Sequence, residues 1–109
     1  EDCAMLDHKS KITGGRRYSF KSTDSESILV HRCLARDGRH AFVLGKHSIG
    51  PGVFADALAV HSHSDIGPHG RYSMGQLFDN VKGGSFSVQS RRDSESGHGW
   101  SGGQIMFWN

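Results

Sequence analysis

One short apolar unit recurs along this chain, and its spacing limits the fold more than any other feature. Leu29-Val30-His31-Arg32-Cys33 aligns with Val53-Phe54-Ala55-Asp56-Ala57, and both align with Leu77-Phe78-Asp79-Asn80-Val81. Val30 to Phe54 is 24 positions, Phe54 to Phe78 is again 24, and Phe78 to Phe107 is 29, where Met106-Phe107-Trp108-Asn109 forms a shorter copy. The columns share character: a large apolar residue, a variable one, then Asp, Asn or Arg, then a small or apolar one. Such alternation sends one set of side chains inward and the next outward, as on a strand. A second outline lies between the units. Gly15-Arg16-Arg17-Tyr18-Ser19-Phe20 resembles Gly38-Arg39-His40-Ala41-Phe42-Val43, and Gly70-Arg71-Tyr72-Ser73-Met74 follows it.

A unit of two dozen residues cannot bury its own apolar face, whereas stacked copies bury a continuous one. The expected fold is therefore all-β: a right-handed parallel β-helix, or solenoid, of about four to five short coils rising about 4.8 Å each. Residues 1–109 are read as a single β-helix domain, whole or a piece of a longer solenoid. A small antiparallel sandwich is the second architecture, although it does not account for the 24-residue period. Composition agrees with strands, since 15 glycines punctuate the chain and helix formers cluster only near Ala55 to Ala59. A formal net charge of +2 gives no reason to expect nucleic acid or an anionic membrane as partner. No apolar run approaches a membrane span. Cys3 and Cys33 lack zinc-ligand spacing and fall in one column of the repeat, as stacked thiols or as a bridge.

Several segments, taken in order, resemble a known family. They are Ile12-Thr13-Gly14-Gly15-Arg16-Arg17-Tyr18-Ser19-Phe20, Asp37-Gly38-Arg39-His40-Ala41-Phe42-Val43, Gly50-Pro51-Gly52-Val53-Phe54, Asp65-Ile66-Gly67-Pro68-His69-Gly70-Arg71 and Gly97-His98-Gly99-Trp100-Ser101-Gly102. Together they resemble a segment of secreted proteins of the pectate-lyase-like superfamily. Where that family would carry a second histidine and a tryptophan, this chain has Gly70 and Tyr72. The resemblance implies a right-handed parallel β-helix, a secreted, extracellular location, and an extended, often acidic polysaccharide held along its flank.

Elimination from a uronate needs a cation to neutralise the carboxylate, a base for the carbon-bound proton and an acid for the leaving oxygen. Arg39, Arg71, Arg16 and Arg17 are candidates for the first task, because guanidinium matches carboxylate geometry. His40, His63 or His69 would be the base, and Tyr72 or Tyr18 the acid. The candidate catalytic residues are thus His40, His69, Arg71 and Tyr72. Arg39, His63, His98 and Trp100 are the candidate substrate-binding residues, Trp100 as a stacking platform for a sugar ring. If Gly38-Arg39-His40 and Gly70-Arg71-Tyr72 are equivalent in the repeat, Arg39 and Arg71 share one face.

The loop from His61 to Arg71 holds three histidines, and His61, His63 and Asp65 would share a strand face with donor types that suit zinc, copper or iron. Their surroundings give no further support, and the reading assigns no metal and no cofactor. Scattered carboxylates do not make a calcium site. The functional expectation is a carbohydrate-active module that binds an acidic polysaccharide and cleaves it by β-elimination. The alternative is a non-catalytic structural module stacking end to end into homo-oligomers or filaments, because open sheet edges invite further strands.

Overall fold

In the computed structural model, residues 1–93 and 98–109 are described, and among them there is no helix. The strands in chain order are β1 (Ala4–Met5), β2 (Tyr18–Ser22), β3 (Ser25–Glu26), β4 (Leu29–His31), β5 (Leu34–Arg36), β6 (His40–Leu44), β7 (Ser48–Ala55), β8 (Leu58–Val60), β9 (Gly67–Pro68), β10 (Met74–Asp79), β11 (Gln89–Ser90), β12 (Trp100–Ser101) and β13 (Gly103–Trp108). One parallel sheet runs β1-β5-β8 and a second runs β2-β6-β9. The largest runs β13-β10-β7-β3, with β4 also paired to β7. β11 and β12 form an antiparallel pair.

The all-β expectation stands, but the right-handed parallel β-helix of four to five coils does not. The strands are divided among several small separate sheets, and one of these is antiparallel. Two physical causes are visible. The segments outside the apolar units supply short, separate ladders, the longest of them between the five-residue strands β2 and β6. After β10, the chain pairs β11 with β12 in antiparallel fashion before β13 returns to pair with β10 in parallel.

The apolar units themselves pair in register. Val30 lies opposite Phe54, Phe54 opposite Phe78, and Phe78 opposite Phe107. Phe54 and Phe78 stack face to face with ring centres 4.8 Å apart, and Phe78 meets Phe107 at 5.0 Å. Phe42, Leu44, Ile66 and Val81 complete the core around them. This core follows from alternation: Gln76, Phe78, Phe54 and Gly52 turn inward while Asp79, Leu77 and Val53 lie between.

Corners close each unit. Asp2, Arg32, Asp56 and Asn80 all adopt a left-handed backbone, with φ of 54°, 51°, 49° and 50°. Asp and Asn tolerate that region better than other non-glycine residues, which explains the polar column in the repeat. Their side chains bond along the column. Arg32 holds Asp2 at 2.6 Å, His31 meets Asp56 at 3.2 Å, and Asn80 donates to Asp56 at 2.7 Å.

The second outline in the sequence pairs one residue away from the alignment that similarity suggests. Tyr18 lies opposite His40 and Phe20 opposite Phe42. Val43 lies opposite Gly67, so Gly70 comes beside Lys46 rather than beside Gly38. Arg39 and Arg71 therefore do not occupy equivalent positions. The register of Ala4 opposite Leu34 sets Cys3 beside Cys33 in one column, as expected, and both are free thiols, but only Cys33 is buried while Cys3 is exposed.

Candidate functional site

The sheet β2-β6-β9 gathers rings from three distant stretches. Pairing of β2 with β6 sets Tyr18 against His40, with ring centres 4.9 Å apart. His69 follows β9 directly, and its amide donates to Leu44 of β6 at 2.8 Å. That places its ring 4.5 Å from His40 and 5.8 Å from Tyr18. His98 adds a fourth ring, 5.1 Å from His69.

His40 is 1% exposed. Its Nδ1 lies 2.8 Å from the backbone carbonyl of Asp65 and 3.4 Å from Asp65 Oδ1. A carbonyl only accepts, so Nδ1 carries the hydrogen and Nε2 keeps a lone pair in the neutral ring. That Nε2 is buried and has no hydrogen-bond partner among the described residues, and the same is true of His69 Nδ1. Buried polar atoms are rarely left so. The oxygens of Asp65 are divided. Oδ2 accepts from Ser87 at 2.8 Å and from the Arg91 guanidinium, while Oδ1 accepts from Ser64 at 3.2 Å.

Protonation follows from these surroundings. Burial pushes His69 down to about 3, aided by the positive charge of Arg91 and the neighbouring His40. Burial also lowers His40, although the Asp65 carbonyl and carboxylate oppose it. Burial alone would raise the Asp65 carboxyl. The Ser87 hydrogen bond and the charges of Arg91 and His40 outweigh that and hold it below the usual carboxylate range. At neutral pH the cluster is thus two neutral imidazoles beside one carboxylate.

A cleft of about 250 Å³ opens over Tyr18 and His69. Lys21, Lys46, Arg71 and His98 line it, and no carboxylate is among its described lining residues. The Tyr18 oxygen lies 3.4 Å from His69 Nε2 and 3.2 Å from the Arg39 guanidinium, which donates to it. Arg39 is fixed by a second bond to the Gly14 carbonyl at 2.8 Å.

Sequence reasoning therefore selected a set that the fold divides. His40, His69, His98 and Arg39 converge on Tyr18, and Arg71 lines the cleft. Tyr72 lies apart: it is 63% exposed and stacks on His47 at 5.5 Å. His63 turns to Asp37 at 3.7 Å, where His61 also points, so neither joins Asp65. Trp100 is exposed, and its indole donates to the Gly102 carbonyl at 2.7 Å. Gly97, in the last stretch of the resemblance, falls outside the described residues, as do Ser94, Glu95 and Ser96. Arg91 was missed. It sits in a run of mixed charge that reads as a solvated loop, and only the fold brings it to Asp65.

Comparison with known proteins finds no matching family, no matching curated protein and no matching solved structure.

Proposed function

We propose that this chain binds an acidic, uronate-type polysaccharide in the cleft over Tyr18 and cleaves it by β-elimination. The observation that carries the reading is the lining of the cleft. Three cationic side chains, Lys21, Lys46 and Arg71, line it with a hydrogen-bonded tyrosine, and no carboxylate is among the described lining residues. A polyanion is attracted to such a surface, and a guanidinium can neutralise the carboxylate whose neighbouring carbon loses its proton.

Tyr18 is the proton-transfer group in this scheme. Its phenolate oxygen takes the proton from the carbon beside the carboxylate. The bond from the next carbon to the leaving sugar oxygen breaks, a carbon–carbon double bond forms, and the proton passes from Tyr18 to the leaving oxygen. Arg39 and His69 position the Tyr18 oxygen through the two hydrogen bonds they make with it.

The test is incubation of the protein with a panel of uronate polysaccharides while ultraviolet absorbance of unsaturated products is followed. Product is expected, with loss in Tyr18→Phe and retained binding in that variant. Absence of binding to every polyanion at low salt would overturn the reading. Product formation that survives Tyr18→Phe would overturn the assigned role.

A second reading, end-to-end association, is favoured by one feature. Among the described residues β13 pairs with β10 alone, and Met106, Phe107 and Trp108 on it are exposed. Light scattering that finds a stable monomer at high concentration would exclude it.

A further inference from the structure

The geometry points to a divalent transition-metal site of the zinc class built by His40, Asp65 and His69. The three residues offer one ligand atom each, all within 4.8 Å of one another. This grouping shares His69 with the polysaccharide reading, where that residue positions Tyr18, but it does not rest on that reading.

Four observations converge. The donors are two imidazole nitrogens and one carboxylate, the set that selects zinc and its neighbours over calcium or magnesium. His40 Nδ1–H donates to the Asp65 backbone carbonyl, which is how ligating histidines are commonly held, and it leaves Nε2 with its lone pair. His40 Nε2 and His69 Nδ1 are both buried with no hydrogen-bond partner among the described residues, and a cation would satisfy both. Asp65 is oriented by Ser64 and Ser87, the outer hydrogen bonds a ligating carboxylate ordinarily has.

Among the described residues, Arg91 and Arg39 both place positive charge near His40 and oppose a cation here, Arg91 most directly. Arg91 is bound on Asp65 Oδ2, whereas Oδ1, which lies 3.4 Å from His40 Nδ1, is not held by Arg91. A metal ion would take Oδ1, and the Arg91 charge stays on the other oxygen. Tyr18 fits the same arrangement. If His69 binds through Nδ1, its Nε2–H is left to donate to the Tyr18 oxygen at 3.4 Å. Three protein ligands are one fewer than a closed structural zinc centre has, so water or a ligand oxygen completes the coordination.

The test uses the full chain after chelator treatment. Zn²⁺ is titrated in by calorimetry with no polysaccharide present, and Co²⁺ is then used as a spectroscopic probe. One ion per chain is expected, with visible Co²⁺ bands typical of four-coordinate nitrogen and oxygen ligation. His69→Gln and Asp65→Asn, checked for folding by circular dichroism, should each weaken Zn²⁺ by at least about tenfold. His61→Gln and His63→Gln should leave it unchanged. In the unaltered chain, ring-proton magnetic resonance should show two buried histidines shifting with Zn²⁺ while exposed His61 and His63 stay in place, a readout that needs no variant. Absence of Zn²⁺ binding overturns the proposal. So does binding that moves only the exposed histidines or survives a His40→Gln, His69→Gln double variant.

Discussion

Gly70 shows how one residue ties the cleft to the fold. A β-carbon added there would stand 2.3 Å from the Lys46 amide nitrogen, closer than any real contact. The chain is held at that approach because Gly70 donates to the Leu44 carbonyl at 3.2 Å. Gly70→Ala should therefore destabilise the protein by about 1–3 kcal/mol, read as a lower urea midpoint. It should also displace His69, the preceding residue. The histidines at this site govern pH behaviour in the metal-free protein. His69 is pushed from 6.5 to about 3 and His40 is lowered as well, so the unfolded chain binds more protons than the folded one below about pH 6.5. Stability conferred by their neutral forms is complete above that pH and falls as the pH drops towards 3. The slope should be about 1.4 kcal/mol per pH unit for each histidine still neutral in the fold. Urea midpoints measured across that range should fall with acid, and His69→Asn should flatten the curve. Of these residues, His40 and His69 could be picked out from sequence as reactive types. Their partners could not. Asp65 sits 25 positions from His40, and the bond that joins them uses a backbone carbonyl, which leaves no trace in residue identity.

At the level of strands, β7, β10 and β13 carry most of the packing. Phe54, Phe78 and Phe107 stack in one column, and Phe78 is touched on both sides. Phe78→Ala should cost about 3–5 kcal/mol, since the cavity it leaves is walled by two rings held in separate strands. Thermal unfolding of that variant beside Phe107→Ala, at the exposed edge, would check the order: the edge substitution should be the milder. This column was legible in the sequence, because Val30, Phe54, Phe78 and Phe107 recur with large neighbours and alternate with polar residues. The pairing of β2 with β6 was not. Similarity aligns Gly15 with Gly38, yet the ladder joins Tyr18 to His40 and Phe20 to Phe42, a shift of one residue. On a strand that shift decides which side chains face each other. It is the reason Tyr18 stands opposite His40, while the β6–β9 register, which brings Gly70 beside Lys46, keeps Tyr72 away from the histidines. The antiparallel pair β11–β12 lay beyond the reach of the repeat altogether, because its residues belong to no column.

Across the whole molecule, the near-even charge hides a local imbalance. The formal net charge is only +2, but the cleft gathers Lys21, Lys46 and Arg71 with no carboxylate among its described lining residues. Under the polysaccharide reading, binding should therefore weaken steeply with added salt, because exposed charges are screened beyond about 10 Å at 0.1 M. Charge reversal at the rim, Lys46→Glu, should reduce affinity at low salt and flatten the salt dependence, and affinity electrophoresis in gels containing the polyanion would read both. A flat salt response in the unaltered chain would count against the cationic cleft as the binding surface.

The left-handed corners at Asp2, Arg32, Asp56 and Asn80 have a consequence for how such a chain can change length. Twenty-four residues separate Phe54 from Phe78 and 29 separate Phe78 from Phe107, yet the ladders on both sides of β10 keep the same pairing of ring to ring. Each corner follows directly on its strand and closes it, so added residues are absorbed in the connecting segment that comes after and the ring-to-ring register is kept. Length can vary between corners while the interior stays as it is. New side chains can thus be brought to the cleft by lengthening a connection, with no need to rebuild the column of phenylalanines beneath it.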